Sequence, residues 1–241
     1  DVLGSRGLGD VYKDSFCGVH GPLLDQRTLH GLEKNLLEPN NTEFIRFNQA
    51  VSIVRKISAC TVSSFQDLVS SQKPFGLRTY VKGASKNQCQ DPVLLYSNKN
   101  VQKDPGYISR REITVNEDLI DKWKLYVSRA YGERGSFPYL VLGKPFYGAP
   151  GTACTETYLA IGPFINRQHA KNALAYITTK FFRFLVLLQK NTQDAPKRVY
   201  RHVPMQNFSK PWTDKELYAK YNLTHCLLYT SPSPRDPKTS R

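Results

Sequence analysis

The sequence predicts an α+β domain, with mixed short-stranded sheets packed around a long central helix, and three observations carry that expectation. From Asn166 to Asn191, the apolar residues Ala170, Ala173, Leu174, Ile177, Phe181, Leu185 and Leu188 recur at spacings of three and four, one face of an α-helix. Short runs that mix β-branched, aromatic and aliphatic residues, bounded by Gly, Pro or Ser, lie on both sides of it. Finally, helical and extended patterns do not alternate in regular β-α-β units.

The central segment begins at Asn166, whose side chain is suited to accept from the free amides of a first helical turn, and ends before Pro196. Phe182, Phe184, Val186 and Leu187 widen its apolar stripe, so its second half is expected in a core. Lys180 and Arg183 interrupt it, and it is too short to span a membrane.

Before it, residues 1–37 are rich in glycine, have no sustained period, and are read as irregular coil. Asn41 caps a predicted helix running to about Ile57, with Phe44, Phe47, Val51, Val54 and Ile57 on one face. SSFQDLV starts a short helix from Ser63 or Ser64, burying Phe65, Leu68 and Val69. Pro74 and Gly76 turn the chain, and Leu77 to Val81 reads as extended. Strands are expected at Val93–Tyr96, Tyr107–Ile108, Lys124–Arg129, Pro138–Leu142, Glu156–Ile161 and Val199–Val203, with a helical turn or two from Glu117 to Trp123. Thr213 and Glu216 form a capping-box pair that opens the helix TDKELYAKY. The expected organisation is an irregular segment at 1–37, a domain at 38–224, and a disordered tail at 225–241.

The 241 residues carry a net charge of +14, which favours polyanionic partners, nucleic acid or an anionic membrane surface. The five cysteines (Cys17, Cys60, Cys89, Cys154 and Cys226) are irregularly spaced, without a C-x-x-C pair, so a reducing cytoplasm is the expected setting. No histidine pair or histidine–cysteine spacing suits a metal, and no metal site is expected. Cys154 is read as a small buried hydrophobe rather than a nucleophile. The chain opens on Asp1 rather than an initiator Met, which leads us to expect a stretch of a longer protein, and its first residues lack a signal-like apolar run.

The coherent chemistry lies in basic, aromatic and hydroxyl residues gathered in glycine-bounded loops. SSQKPFGLRT offers Lys73, Phe75 and Arg78, SRAYGERG offers Arg129, Tyr131 and Arg134, and LGKPFYG adds Lys144, Phe146 and Tyr147. Lys and Arg neutralise phosphates, Ser and Thr donate to them, and Arg is shaped to read guanine. Aromatic residues in such loops stack on an unpaired base or pack beneath the loop.

FIRFNQAVSIVRKI, SSFQDLVSSQKPFGLRT, GYISRREI, LIDKWKLYVSRAYGERG, CTETYLAIGPF, AYITTKFFRFLVLLQKNTQ and VYRHVPMQNFSKPWTDKELYAKYNLT follow one another from about Leu36 to Thr224. This succession resembles the C-terminal, TaqI-like target-recognition region of adenine-specific DNA methyltransferases of type II restriction–modification systems. The resemblance implies a fold of target-recognition-domain type and a double-stranded DNA partner. It also implies an N-terminal methyltransferase domain that holds S-adenosylmethionine and methylates a flipped adenine, and a restriction endonuclease domain or subunit as a further partner. It makes Lys73, Arg78, Arg129 and Arg134 candidates for DNA contact, followed by Phe75 and Tyr131 and then by Thr155 and Glu156. Glu156 is suited to accept from cytosine or to orient Arg129. The catalytic Asp/Asn-Pro-Pro-Tyr/Phe motif is absent, so the chain is expected to bind DNA without methylating it, with no cofactor of its own. Residues 1–35 depart from the family's pattern. HCLLYTSPSPRDPKTSR resembles a tail that recurs on unrelated translated assembly sequences, and residues from about His225 are expected to be non-native.

Two other classes compete. A nuclease needs clustered carboxylates for Mg²⁺, and Glu112, Glu117, Asp118 and Asp121 come nearest to a cluster. A subunit-docking module would instead set the Phe-rich helix against a partner.

Overall fold

Alternation along the strands decides the layering. The computed structural model describes residues 50–97, 106–131 and 141–223. Strand β3 (Trp123–Ser128) pairs antiparallel with β4 (Phe146–Gly148) and with β6 (Tyr158–Phe164), giving a three-stranded sheet of order β4-β3-β6. Its Leu125, Val127, Leu159 and Ile161 point into one core, and Tyr126, Tyr158 and Ala160 into another. Both faces are therefore covered, which is why these strands read as continuous apolar runs.

The first core is filled by helices α1 (Ala50–Cys60), α3 (Arg167–Ile177), α4 (Lys180–Leu187) and α5 (Asp214–Lys220). Phe65 is fully buried there, with ring centroids of Phe182 at 4.9 Å and Tyr176 at 6.0 Å. The second core is closed by a sheet of order β2-β1-β5, made of β1 (Pro92–Tyr96), β2 (Gly106–Ser109) and β5 (Thr152–Cys154). Strand β1 buries Val93 and Leu95 and leaves the residues between them half-buried, the period of two of a strand covered on one face. Its pairing with β2 is antiparallel and with β5 parallel. The helical turn α2 (Glu117–Ile120) leads into β3.

The mixed α+β architecture is as expected, and the long central helix is corrected to two. Asn166 caps α3 by accepting from the His169 amide at 2.9 Å. At Thr179 the backbone is extended (ψ 152°), and its hydroxyl oxygen accepts from Phe182 N while the hydroxyl donates to Tyr176 O. The Asp214 carboxylate accepts from Lys180 N and Phe181 N at 3.1 and 2.8 Å, completing the start of a new helix. The second half is buried nearly all round, as its composition suggested.

Further corrections concern strands. Leu77–Val81 is not extended: Val81 N donates to Arg78 O at 3.1 Å and closes a turn. Val199–Val203 is replaced by a 3₁₀ helix at Lys197–Tyr200, set off by Pro196. Glu156 and Thr157 form a turn ahead of β6 rather than its start. Val141 and Leu142 are buried outside any strand. The helix before Ala50, residues 1–37, residues 138–140, Arg134 and the tail from His225 lie outside the described residues.

Glycine is required where the 83–84 segment joins β2. A Cβ on Gly83 would stand 2.3 Å from Gly106 Cα, and one on Gly106 equally close to Gly83 Cα. This contact lets Ala84 and Tyr107 exchange two backbone hydrogen bonds of 2.7 and 2.9 Å. Gly106→Ala is expected to cost about 2–3 kcal/mol through overpacking against main chain, measured as a lowered midpoint in urea. An unchanged midpoint would mean that the two segments separate freely.

Candidate nucleic-acid interface

Pairing register places the basic loops together. The parallel β1–β5 ladder brings Tyr96 beside Cys154, and Thr155 N then donates to Tyr96 O at 3.0 Å. A short turn, Thr155–Thr157, leads directly to Tyr158, which pairs with Ser128 at the end of β3. The ends of β1, β3 and β5 and the starts of β2, β4 and β6 therefore share one edge of the domain.

Arg78 is exposed on that edge. Its loop is tied to the 155–157 turn on both sides: Glu156 N donates to Leu77 O at 2.9 Å, and Glu156 Oε1 accepts from Thr79 N at 3.2 Å. Thr79 and Tyr80 occupy the corner of the turn closed by Val81, and Tyr80 is 77% exposed. Lys82 follows, also exposed. Lys73 lies half-buried earlier in the loop and away from this edge: Pro74 O accepts from Asn116 Nδ2 at 2.7 Å, and Gly76 packs on Val115, both just ahead of α2.

Arg129 continues from β3, with its amide donating to Thr157 O at 2.9 Å and its carbonyl accepting from Ala195 N at 2.8 Å. Its Nε lies 3.9 Å from Asp194 Oδ1, so Asp194, not Glu156, orients the guanidinium. Tyr131 is half-buried, its amide held by Gln193 O and its carbonyl accepting from Lys190 Nζ at 2.9 Å. Gly143 packs back on Ser128 and Tyr131, which brings the exposed Lys144 to the same edge.

Two candidates sit behind this surface rather than on it. Phe75 is fully buried in the second core, where its ring packs beneath the loop. Thr155 is fully buried too, its hydroxyl donating to Thr157 Oγ1 at 3.1 Å. Sequence reading missed Tyr80 and Lys82, because R-T-Y-V-K reads as a strand until the turn is seen.

The opposite edge has the other sign. Asp91, Glu112, Glu117, Asp118 and Asp121 gather around the start of β1, the end of β2 and α2. Arg110 forms a bidentate pair with Asp121 and lies 4.0 Å from Asp91, and its guanidinium holds the Asp121 carboxyl below its usual range. Glu112 accepts from Ser109 N at 3.2 Å. Among the described residues no group of three or more His, Cys, Asp or Glu is arranged to hold a metal ion. Cys60, Cys89 and Cys154 are free thiols, and burial pushes that of Cys154 well up.

Among the described residues no helix is long and apolar enough to cross a membrane. Neither a family model, nor a curated protein, nor a solved structure matches this chain.

Proposed function

We propose that this domain binds double-stranded DNA through the edge carrying Arg78, Lys82, Arg129 and Lys144. In this reading it is the target-recognition part of an adenine-specific DNA methyltransferase of a restriction–modification system, acting in the cytoplasm. The observation that supports the reading is the gathering of Arg78, Lys82, Arg129 and Lys144 on one edge, where the two neighbouring carboxylates, Glu156 and Asp194, are engaged by Thr79 N and by Arg129. A phosphate backbone meets a local excess of cations there. S-adenosylmethionine belongs to the partner methyltransferase domain. This chain lacks the Asp/Asn-Pro-Pro-Tyr/Phe motif, and no step of methyl transfer falls to its residues.

Within the interface, Lys82 and Lys144 act as point charges on phosphates, and a fork of donors suits Arg78 for phosphate or guanine. Asp194 limits the swing of Arg129, and Glu156 fixes the main chain beneath Arg78. Anisotropy titrations of the whole chain with a labelled duplex should show affinity falling linearly in log–log with salt. Alanine at Arg78, Lys82, Arg129 and Lys144 together should weaken binding on the order of 100-fold and lower the salt slope by about 3. Alanine at Lys122, near the opposite edge, should change neither. Absence of salt-sensitive binding, or a quadruple variant that binds like wild type, would refute the reading.

A further inference from the structure

Among the described tyrosines, Tyr80 is the most exposed. Tyr126, Tyr176 and Tyr200 are fully buried, and Tyr221 is 2% exposed. Tyr80, by contrast, is 77% exposed at the corner of a β-turn. That position ordinarily favours small or polar residues such as Asn, Asp, Ser or Gly. An aromatic ring held in water at a turn corner contributes nothing to a core.

The turn is also held unusually firmly for an exposed loop. Thr79 N is bound by the Glu156 carboxylate, Val81 N closes on Arg78 O, and Ala84 exchanges two backbone hydrogen bonds with Tyr107. Between these anchors Tyr80 is flanked by the exposed side chains of Arg78 and Lys82. A ring with two torsions on a fixed main chain loses little entropy when it is covered. Cations two residues away on either side are placed to hold the phosphates that flank whatever the ring meets.

We infer that Tyr80 stacks on the face of a base at a locally opened step of the DNA, with Arg78 and Lys82 on the neighbouring phosphates. This rests on the DNA-binding reading above and adds the atom class that the ring recognises. Stacking is tolerant of base identity, because every base has a π-face. It is favoured where unstacking costs least, at a mismatch or a flexible pyrimidine–purine step.

The experiment compares the whole chain with Tyr80→Ala and Tyr80→Phe on two labelled duplexes, one fully matched and one with a single central mismatch. Wild type and Tyr80→Phe should bind the mismatched duplex about 10-fold more tightly than the matched one, because the ring gains its stack on a base already freed there. Tyr80→Ala should bind both duplexes alike, with the salt slope of wild type, because no phosphate contact is lost. Its urea midpoint should match wild type, as befits a side chain outside the core. If Tyr80→Ala keeps the preference, or wild type binds DNA in a salt-sensitive way but shows none, the stacking role is wrong and the interface stands. If Tyr80→Phe behaves like alanine, the hydroxyl rather than the ring makes the contact, which also overturns it. Failure of wild type to bind either duplex would remove both the stacking role and the interface.

Discussion

Replacing Lys124 by alanine should lower the unfolding free energy by about 3–5 kcal/mol, read from urea denaturation of the whole chain. The side chain is fully buried within β3. Its ammonium offers three N–H donors to four carbonyls, Leu119 and Ile120 at 2.9 Å, Lys122 at 3.0 Å and, as the longest and shared contact, Ala149 at 3.3 Å. Leu119, Ile120 and Lys122 lie at or just past the end of α2; Leu119 O also accepts from Lys122 N at 3.3 Å and Ile120 O from Gly151 N at 2.9 Å. Ala149 lies between β4 and β5, so one amine ties α2 to the link between the two sheets. The stem is also close-packed: a Cβ on Gly148 would stand 2.8 Å from Lys124 Cγ. Alanine removes donors and packing together, whereas Lys124→Met keeps the stem and should cost about 1–2 kcal/mol.

The same side chain gives a pH signature. Burial pulls the Lys124 ammonium down to about 8 from its ordinary 10.5. Because the folded value is the lower one, the unfolded chain holds more protons between about pH 8 and 10.5. Stability of wild type relative to Lys124→Met therefore rises across that window. The comparison cancels the ionisation of the buried tyrosines, common to both proteins. A difference that stays flat through the window would show that burial does not bear on this amine.

Arg183→Met should act in the opposite direction, raising stability by about 1–3 kcal/mol. Arg183 sits in α4 with 7% of its surface exposed, and its Nε and Nη1 are buried without hydrogen-bond partners among the described residues. Burial lowers its pKa, opposed by the more distant Tyr131 and Asp214. An orphaned buried donor costs about 1–3 kcal/mol, and methionine fills a similar volume without that cost. For a chain of this size the melting temperature should climb by about 2–4 °C per kcal/mol gained. A fall in melting temperature would mean that the guanidinium is matched in the native state.

How far sequence reading reached depended on the distance between partners. The capping box of α5 was legible because Thr213 and Glu216 are neighbours on one turn, and they bond to each other at 2.8 and 3.3 Å. The break between α3 and α4 was not, because it depends on a carboxylate at Asp214, far along the chain. Strands β4 and β5 are three residues each, too short to announce themselves, and they exist through their partners β3 and β1. The basic loops were legible by composition, and the ladder register that gathers them on one edge was not. Tyr80 stayed hidden because the turn that exposes it is fixed by Glu156. Thr155 was read as surface, and Phe75 was left between packing and wedge, because no local signal distinguishes a loop residue from one beneath the loop.

The parallel pairing of β1 with β5 has a consequence for synthesis. As the chain emerges from N- to C-terminus, β1 and β2 meet early, but the far side of β1 waits while β3 and β4 are made for the other sheet. Until Thr152–Cys154 arrives, β1 offers unpaired main-chain groups on an apolar strand, a template for another nascent copy. The interval between Tyr96 and Thr152 is thus when the domain is most exposed to misassembly. It is also where a slow decoding step would be most costly, and where a chaperone that shields strand edges would help most.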